Sequence, residues 1–284
     1  MNDAQITLED GRSLAYKEVG DPTGTPVMHF HGAPSCRTFL DILNDEFADR
    51  DLRVISPDRP SYGGTTPQSN RSLGDWPKDV VRLADAIDID QFVVFGYSSG
   101  VPYVLATCAL TSNRVIGGVV VAGPSDPSRS ARLDALPETE RKIMAQPDEK
   151  AAVEWCRNRF GRDGSRFGEY DHFDWSESDE VFLADEAIGA HFETVTEEAF
   201  RRGIDGYAQD IFVQGQPWPF ELSQIDVPVH VVHGEEDRIV PLDHSRQIAE
   251  EIQGATLEVV PKHGHASIIE EFPQLVVDSV ESLS

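Results

Sequence analysis

The stretch Gly96-Tyr97-Ser98-Ser99-Gly100 sets a hydroxyl between two glycines, after a run of strand formers and before a segment that reads as helix. A G-x-S-x-G turn between strand and helix is sharp and strained, and it projects its central side chain into the open. Glycines two positions to either side remove Cβ atoms that would meet the neighbouring strand and helix. The turn therefore centres on Ser98, because centring it on Ser99 would put Tyr97 and Val101 on the cramped flanks. Ser99 then presents its backbone N–H in the first helical turn, where amides lack an intrahelical partner. Such an amide can stabilise an oxyanion. Nucleophilic attack by Ser98 is the chemistry this spacing suggests.

A serine hydroxyl is a weak nucleophile near neutral pH. It needs a base, and the base needs an orienting acid. In the strand-turn-helix setting the acid precedes the base in the chain. The segment "VVPKHGHASIIEEFP" offers His263 and His265, and its loop position beside Gly264 favours His265. The segment "VHVVHGEEDRIVP" offers Glu235, Glu236 and Asp237. Asp237 precedes an apolar run that would bury it, whereas the two glutamates fit a solvated surface. Asp126, after "VVVAGPSD", is a second candidate for the acid, weighed below Asp237.

These residues need elements to hold them. "QITLEDGRSLAYKEV" reads as two alternating runs joined by Asp10-Gly11, a hairpin signal. Short strands follow in "TPVMHF", "LRVISP", "QFVVFGY" and "RVIGGVVV", with helices read over "FLDILNDEFADRD", "LGDWPKDVVRLADAIDI" and "VPYVLATCAL" between them. In the second of these helices Val80, Leu83, Ala84 and Ile87 share a face. From residue 126 to 225 no strong strand occurs, and four helical stretches are expected: 126–145, 148–160, 178–195 and 196–213. Alternation resumes with "VPVHVVHG", a helix over 243–252, the strand "ATLEVVP" and a last helix from Ala266. The expected fold is α/β: a mostly parallel, doubly wound sheet formed by 1–125 and 226–284, with a helical cap inserted at 126–225. Sites in such sheets form at the carboxyl ends of strands, where Ser98, Asp126, Asp237 and His265 all fall.

The composition narrows the partners. Fifty acidic against 24 basic residues give a formal net charge of −26, with only five lysines among the basic residues. Nucleic acid and anionic membrane surfaces are unfavourable partners for such a chain. An acidic, lysine-poor surface fits molar salt, where screening shortens the Debye length to about 3 Å. Cys36, Cys108 and Cys156 form no CxxC pair, so a reducing, cytoplasmic setting is expected. The opening residues lack the basic and apolar regions of a secretory signal, and no apolar run is long enough to span a bilayer.

The order "HGAP", "DRPSYGG", "GYSSG", "HGEEDRIVP", "HGHASIIEEFP" spans essentially the whole chain and resembles the α/β-hydrolase fold superfamily, in particular its cap-bearing, esterase- and lipase-like serine hydrolases. The resemblance implies Ser98 as nucleophile, Asp237 as acid and His265 as base. It also implies Ala33, after His31-Gly32, as a second oxyanion-hole amide beside Ser99. Two departures stand out. Ser61 occupies a position where many relatives have glycine, and Ala33-Pro34 replaces a run of glycines. Relatives with aspartate at the elbow open epoxides or remove halides, and Ser98 argues against both chemistries.

Other chemistries are disfavoured. The pairs His29/His31 and His263/His265 could share a strand face, but no further ligand spacing follows them, so no metal is expected. Neither a G-x-x-x-x-G-K-[ST] nor a G-x-G-x-x-G pattern is present, and no cofactor is expected. Thirteen of the 24 aromatic residues fall between Trp155 and Phe220. That enrichment suggests an apolar wall over the site from Trp155, Phe173, Trp175, Phe182 and Trp218, with Tyr97 beside the nucleophile. The expected activity is hydrolysis of an ester or related acyl bond in a small, largely apolar molecule. The same triad can serve C–C, amide or lyase chemistry, and a non-catalytic ligand-binding protein would keep the pocket without turnover.

Overall fold

The computed structural model describes residues 2–127, 136–170 and 173–282. Eight strands form one sheet in the order β1-β2-β4-β3-β5-β6-β7-β8: β1 Asn2–Thr7, β2 Ser13–Gly20, β3 Thr25–Phe30, β4 Leu52–Pro57, β5 Phe92–Tyr97, β6 Val115–Val121, β7 Val229–Gly234 and β8 Thr256–Val260. The hairpin β1–β2 is antiparallel, and β2 runs antiparallel to β4. From β4 onward the neighbours β4, β3, β5, β6, β7 and β8 are all parallel. Chain order reverses direction at β3, since β4 lies on one side of it and β5 on the other. A crevice opens at such a switch point outside the carboxyl ends of the two strands. His31-Gly32-Ala33 and Ser98 emerge there.

The sheet is covered on both faces, and the period-2 alternation of its strands explains how. Along β5, Val93, Phe95 and Tyr97 belong to one core and Phe92 and Val94 to the other. Along β6, Val119 and Val121 face the first core and Val120 the second. The first face is covered by the turn Phe39–Leu43, by α1 (Asn44–Ala48) and, at the chain's end, by a helix over Phe272–Ser282. The second is covered by α2 (Trp76–Ala86) and α3 (Val101–Leu110). The expected helix over 39–51 is in fact a 3₁₀ turn followed by the short α1. The tighter turn puts Leu40 and Leu43, three residues apart, on the same buried face.

Between β6 and β7 the regular elements among the described residues are helical, and the α-helices are α4 Glu138–Met144, α5 Glu149–Phe160, α6 Phe167–Tyr170, α7 Glu177–Leu183, α8 Glu186–Ala199 and α9 Asp205–Gln214. Of the helix expected over 126–145, residues 128–135 lie outside the described residues and 138–144 are helical. The single helix expected over 178–195 is split. Asp185 accepts from Ala187 N at 2.9 Å and from Ile188 N at 3.1 Å, capping α8 and ending α7. A short side chain that satisfies orphan N–H groups starts a helix better than it continues one. The last two helices are α10 (Leu242–Glu251) and α11 (Phe272–Ser282).

Candidate active site

β5 ends at Tyr97, and the chain reverses at Ser98, whose φ of +52° lies in the left-handed region. Holding a non-glycine residue there costs roughly 1–2 kcal/mol. The flanking glycines let the surrounding chain close on the turn. A Cβ at Gly96 would stand 2.5 Å from Val104 Cγ2, and one at Gly100 would stand 2.0 Å from the Phe30 carbonyl oxygen. Ser98–Gly100 form a 3₁₀ turn that runs straight into α3, so the Ser99 amide lies in a first turn.

His265 reaches this corner from the turn between β8 and α11. Its Nε2 lies 3.0 Å from Ser98 Oγ, and its Nδ1 lies 2.8 Å from Asp237 Oδ2. The Asp237 side chain is fully buried just after β7. Its Oδ1 accepts from Ile239 N at 2.8 Å and from Val240 N at 2.9 Å. A carboxylate on Nδ1 fixes the ring's tautomer, with Nδ1–H donating and the Nε2 lone pair facing the serine hydroxyl. Burial opposes a charge on His265, but the charge and hydrogen bond of Asp237, aided by Asp179 and Glu140, outweigh it. The imidazole pKa is raised above its ordinary value. Burial likewise pushes the Asp237 carboxyl up, and the charge and hydrogen bond of His265 more than reverse that, so its pKa is lowered. Asp126 is buried near the end of β6, but the partner of His265 Nδ1 is Asp237. His263 points elsewhere, its Nδ1 3.0 Å from the Pro261 carbonyl.

The loop after β3 brings Gly32 and Ala33 to the same cavity as Ser98 and Ser99. His31 Nδ1–H donates to the Gly32 carbonyl at 2.7 Å, and its Nε2 accepts from Arg59 N at 3.2 Å. Arg59 donates through Nη2 to the Gly32 carbonyl at 3.0 Å and through Nη1 to the His31 carbonyl. Its Nε donates to Asp210 Oδ2 at 2.8 Å, and Arg71 and Tyr103 hold Asp210 Oδ1 at 2.7 and 2.6 Å. Burial alone would raise the Asp210 pKa, but the two guanidinium groups hold it well below the carboxylate range. His29 is fully buried with Nδ1 on Ser56 Oγ at 2.8 Å. Ser61 has a φ of +74° and donates to Gln209 Oε1 on α9 at 2.8 Å.

The cavity has a volume of about 740 Å³. Ser98, His265, Ala33 and Ser99 form its floor, and Phe39, Phe167, Phe173, Trp175, Phe192 and Phe200 supply much of its wall. Of the six aromatic residues expected at the site, Tyr97, Phe173 and Trp175 line it. Tyr97 also donates its hydroxyl to the His265 carbonyl at 2.8 Å. Trp155, Trp218 and Phe182 on α7 are not among the described residues that line it. Trp155 packs edge-on to Phe160 inside α5, with centroids 6.1 Å apart. Trp218 lies where the chain returns to the α2/α3 face, packed 5.4 Å from Phe220 in the second core. Sequence composition counted these indoles correctly but carried no sign of which way each would face.

Comparison with known proteins decides the family. Residues 27–279 match the profile described as "Alpha/beta hydrolase family". The chain belongs to the alpha/beta hydrolase family. This alpha/beta hydrolase is 26% identical over 278 residues to a non-heme chloroperoxidase of Streptomyces lividans, with 89% of each chain covered. It is also 26% identical to a bifunctional esterase/perhydrolase of Acinetobacter calcoaceticus, with 92% of each covered. A thermophilic esterase from Thermogutta terrifontis superposes with a TM-score of 0.75 at 20% identity, covering 100% of this chain and 99% of the other, a likeness of fold. The protein is an enzyme, a hydrolase. Among the described residues, no helix is long and apolar enough to cross a membrane.

Proposed function

We propose that this hydrolase is a serine esterase that cleaves an ester or related acyl bond in a small, largely apolar molecule. The observation that carries the reading is the continuous chain Ser98 Oγ–His265 Nε2–Asp237, with links of 3.0 and 2.8 Å, on the floor of an aromatic-walled cavity. Ser98 Oγ attacks the carbonyl carbon as Nε2 of His265 takes its proton. Asp237 holds the ring and stabilises the imidazolium. The negative charge that develops on the carbonyl oxygen is met by the N–H groups of Ala33 and Ser99. Collapse of the intermediate releases the alcohol, which takes the proton back from His265. Water then enters, loses a proton to the same nitrogen and attacks the acyl carbon, and as the acyl–Oγ bond breaks His265 passes that proton to Ser98 Oγ. Each step is a proton or acyl transfer among groups of this chain and water.

In this reading the helices of 126–225 act as a cap over a core of 1–125 and 226–284. Their aromatic side chains exclude water and favour uncharged acyl or alcohol parts. The acidic surface and the three buried free thiols suit a reducing, salt-rich cytoplasm. A fluorophosphonate probe tests the central claim without a guess about substrate. An adduct located on Ser98 by mass spectrometry, and lost in Ser98→Ala, is the expected result. A folded protein that takes no label in low or molar salt would refute the esterase reading.

A further inference from the structure

Asp179 lies on α7, far in sequence from the triad, yet its side chain is fully buried against the turn that carries His265. Its Oδ2 accepts from His265 N at 3.0 Å. Its Oδ1 accepts from Ala266 N at 2.8 Å, Ser267 N at 2.8 Å and Ser267 Oγ at 3.1 Å. Ser267 Oγ in turn accepts from Gly264 N at 2.8 Å. Gly264 makes this approach possible, because a Cβ there would stand 2.1 Å from Ser176 Oγ and 2.2 Å from Asp179 Oδ2. Four donors from three consecutive residues therefore converge on one carboxylate supplied by the helical segment between β6 and β7.

We propose that Asp179 is a positioning residue for His265, gathering the N–H groups of its turn so that the imidazole points correctly only when α7 is docked. The inference rests on the esterase reading above, in which His265 is the base. Besides Asp179, the groups that face His265 are Asp237 after β7, Ser98 and Tyr97 at the end of β5, and Glu140 on α4. His233 stands behind Asp237, 3.4 Å from its Oδ2. Asp179 thus acts on the ring in two ways. It fixes the backbone beneath the ring, and it adds negative charge near an imidazolium that forms during each acyl transfer.

The test compares the full-length parent with Asp179→Asn, Ser267→Ala and Ser98→Ala on a short-chain p-nitrophenyl ester, with folding checked by circular dichroism. In Asp179→Asn the amide nitrogen faces N–H donors and the charge is gone. Its kcat is expected to fall about tenfold to a hundredfold with KM little changed, as for a displaced catalytic group. The acidic limb of its kcat/KM profile should move to lower pH. Ser267→Ala removes one donor and keeps the charge, so kcat should fall less and the limb should stay. A purely structural role would lower thermal stability and leave both kcat and the limb in place, which would overturn the inference. If Asp179→Asn does not fold, Ser267→Ala decides, and an unchanged kcat overturns the inference. Turnover retained in Ser98→Ala would instead overturn the esterase reading itself, and the inference with it.

Discussion

Arg59 donates to the carbonyl oxygen of Gly32 at 3.0 Å while its Nε holds Asp210 of α9 at 2.8 Å. One fully buried guanidinium thereby joins the loop beside Ser98 to a helix inserted more than a hundred residues later in the chain. The carbonyls of His31 and Gly32 are both held by that guanidinium.

Replacing Arg59 by Met should therefore be severe. Asp210 would keep Arg71 and Tyr103 but lose one of its two counter-charges in a dry site. Breaking a buried pair from one side costs about 3–5 kcal/mol, readable in urea unfolding. A loss no larger than about 1 kcal/mol, the scale of an exposed pair, would show that the network is not sealed from water.

The pH dependence follows from His265. Its pKa is raised, and in the proposed mechanism it serves as the base only when neutral. The rate should therefore climb through an apparent pKa above the ordinary imidazole value of about 6.5. Because the folded protein favours the protonated ring, this group adds stability that is fully present below the unfolded-state pKa and lost as pH rises through the folded one. Asp237→Asn removes the main attraction. It should lower the limb and cut kcat by roughly 10³–10⁴-fold, as when a triad loses its orienting acid. A kcat/KM profile with its acidic limb at or below the free imidazole value would contradict the assignment of the base.

Two of the expected aromatic residues give a clean contrast, since Trp175 lines the cavity and Trp218 does not. Trp175→Ala opens the cavity wall and should raise KM for an apolar ester several-fold. Trp218→Ala excavates the second core and should lower unfolding free energy by about 3–5 kcal/mol, with KM unchanged. Steady-state kinetics and denaturation of the two variants side by side check this. A KM effect for Trp218 would mean that the cavity extends to the opposite face.

Salt should stabilise the protein. With a net charge of −26, self-repulsion is strong in dilute buffer and fades as the Debye length falls from about 10 Å at 0.1 M to about 3 Å at 1 M. Calorimetry across that range of potassium chloride should show a rising Tm. A flat or falling Tm would place the protein among ordinary acidic enzymes.

Much of this arrangement was legible because it is local. The elbow is a five-residue pattern, and its glycines answer to atoms of the adjoining strand and helix. The strands announce themselves by period and by β-branched residues, and Asp237 by the apolar run that buries it. Arg59 was visible inside "DRPSYGG", but its task depends on Asp210, which no spacing rule links to it. Asp179 was hidden for a similar reason. Asp179 also closes a capping box with Ser176 at the start of α7. The same carboxylate also serves a turn near the chain's end, a coincidence that only the assembled fold creates.

Among the contacts that the helices between β6 and β7 make with the rest of the chain are two buried aspartates, Asp210 on Arg59 behind the loop of Gly32 and Asp179 beneath the turn of His265. The insertion is therefore not a freely exchangeable module. A chimera that borrowed another family member's insertion to change substrate range would leave Arg59 with an unmatched charge and three N–H groups without acceptors. Transplants that carry both carboxylates in register should accept the new wall and keep the old chemistry.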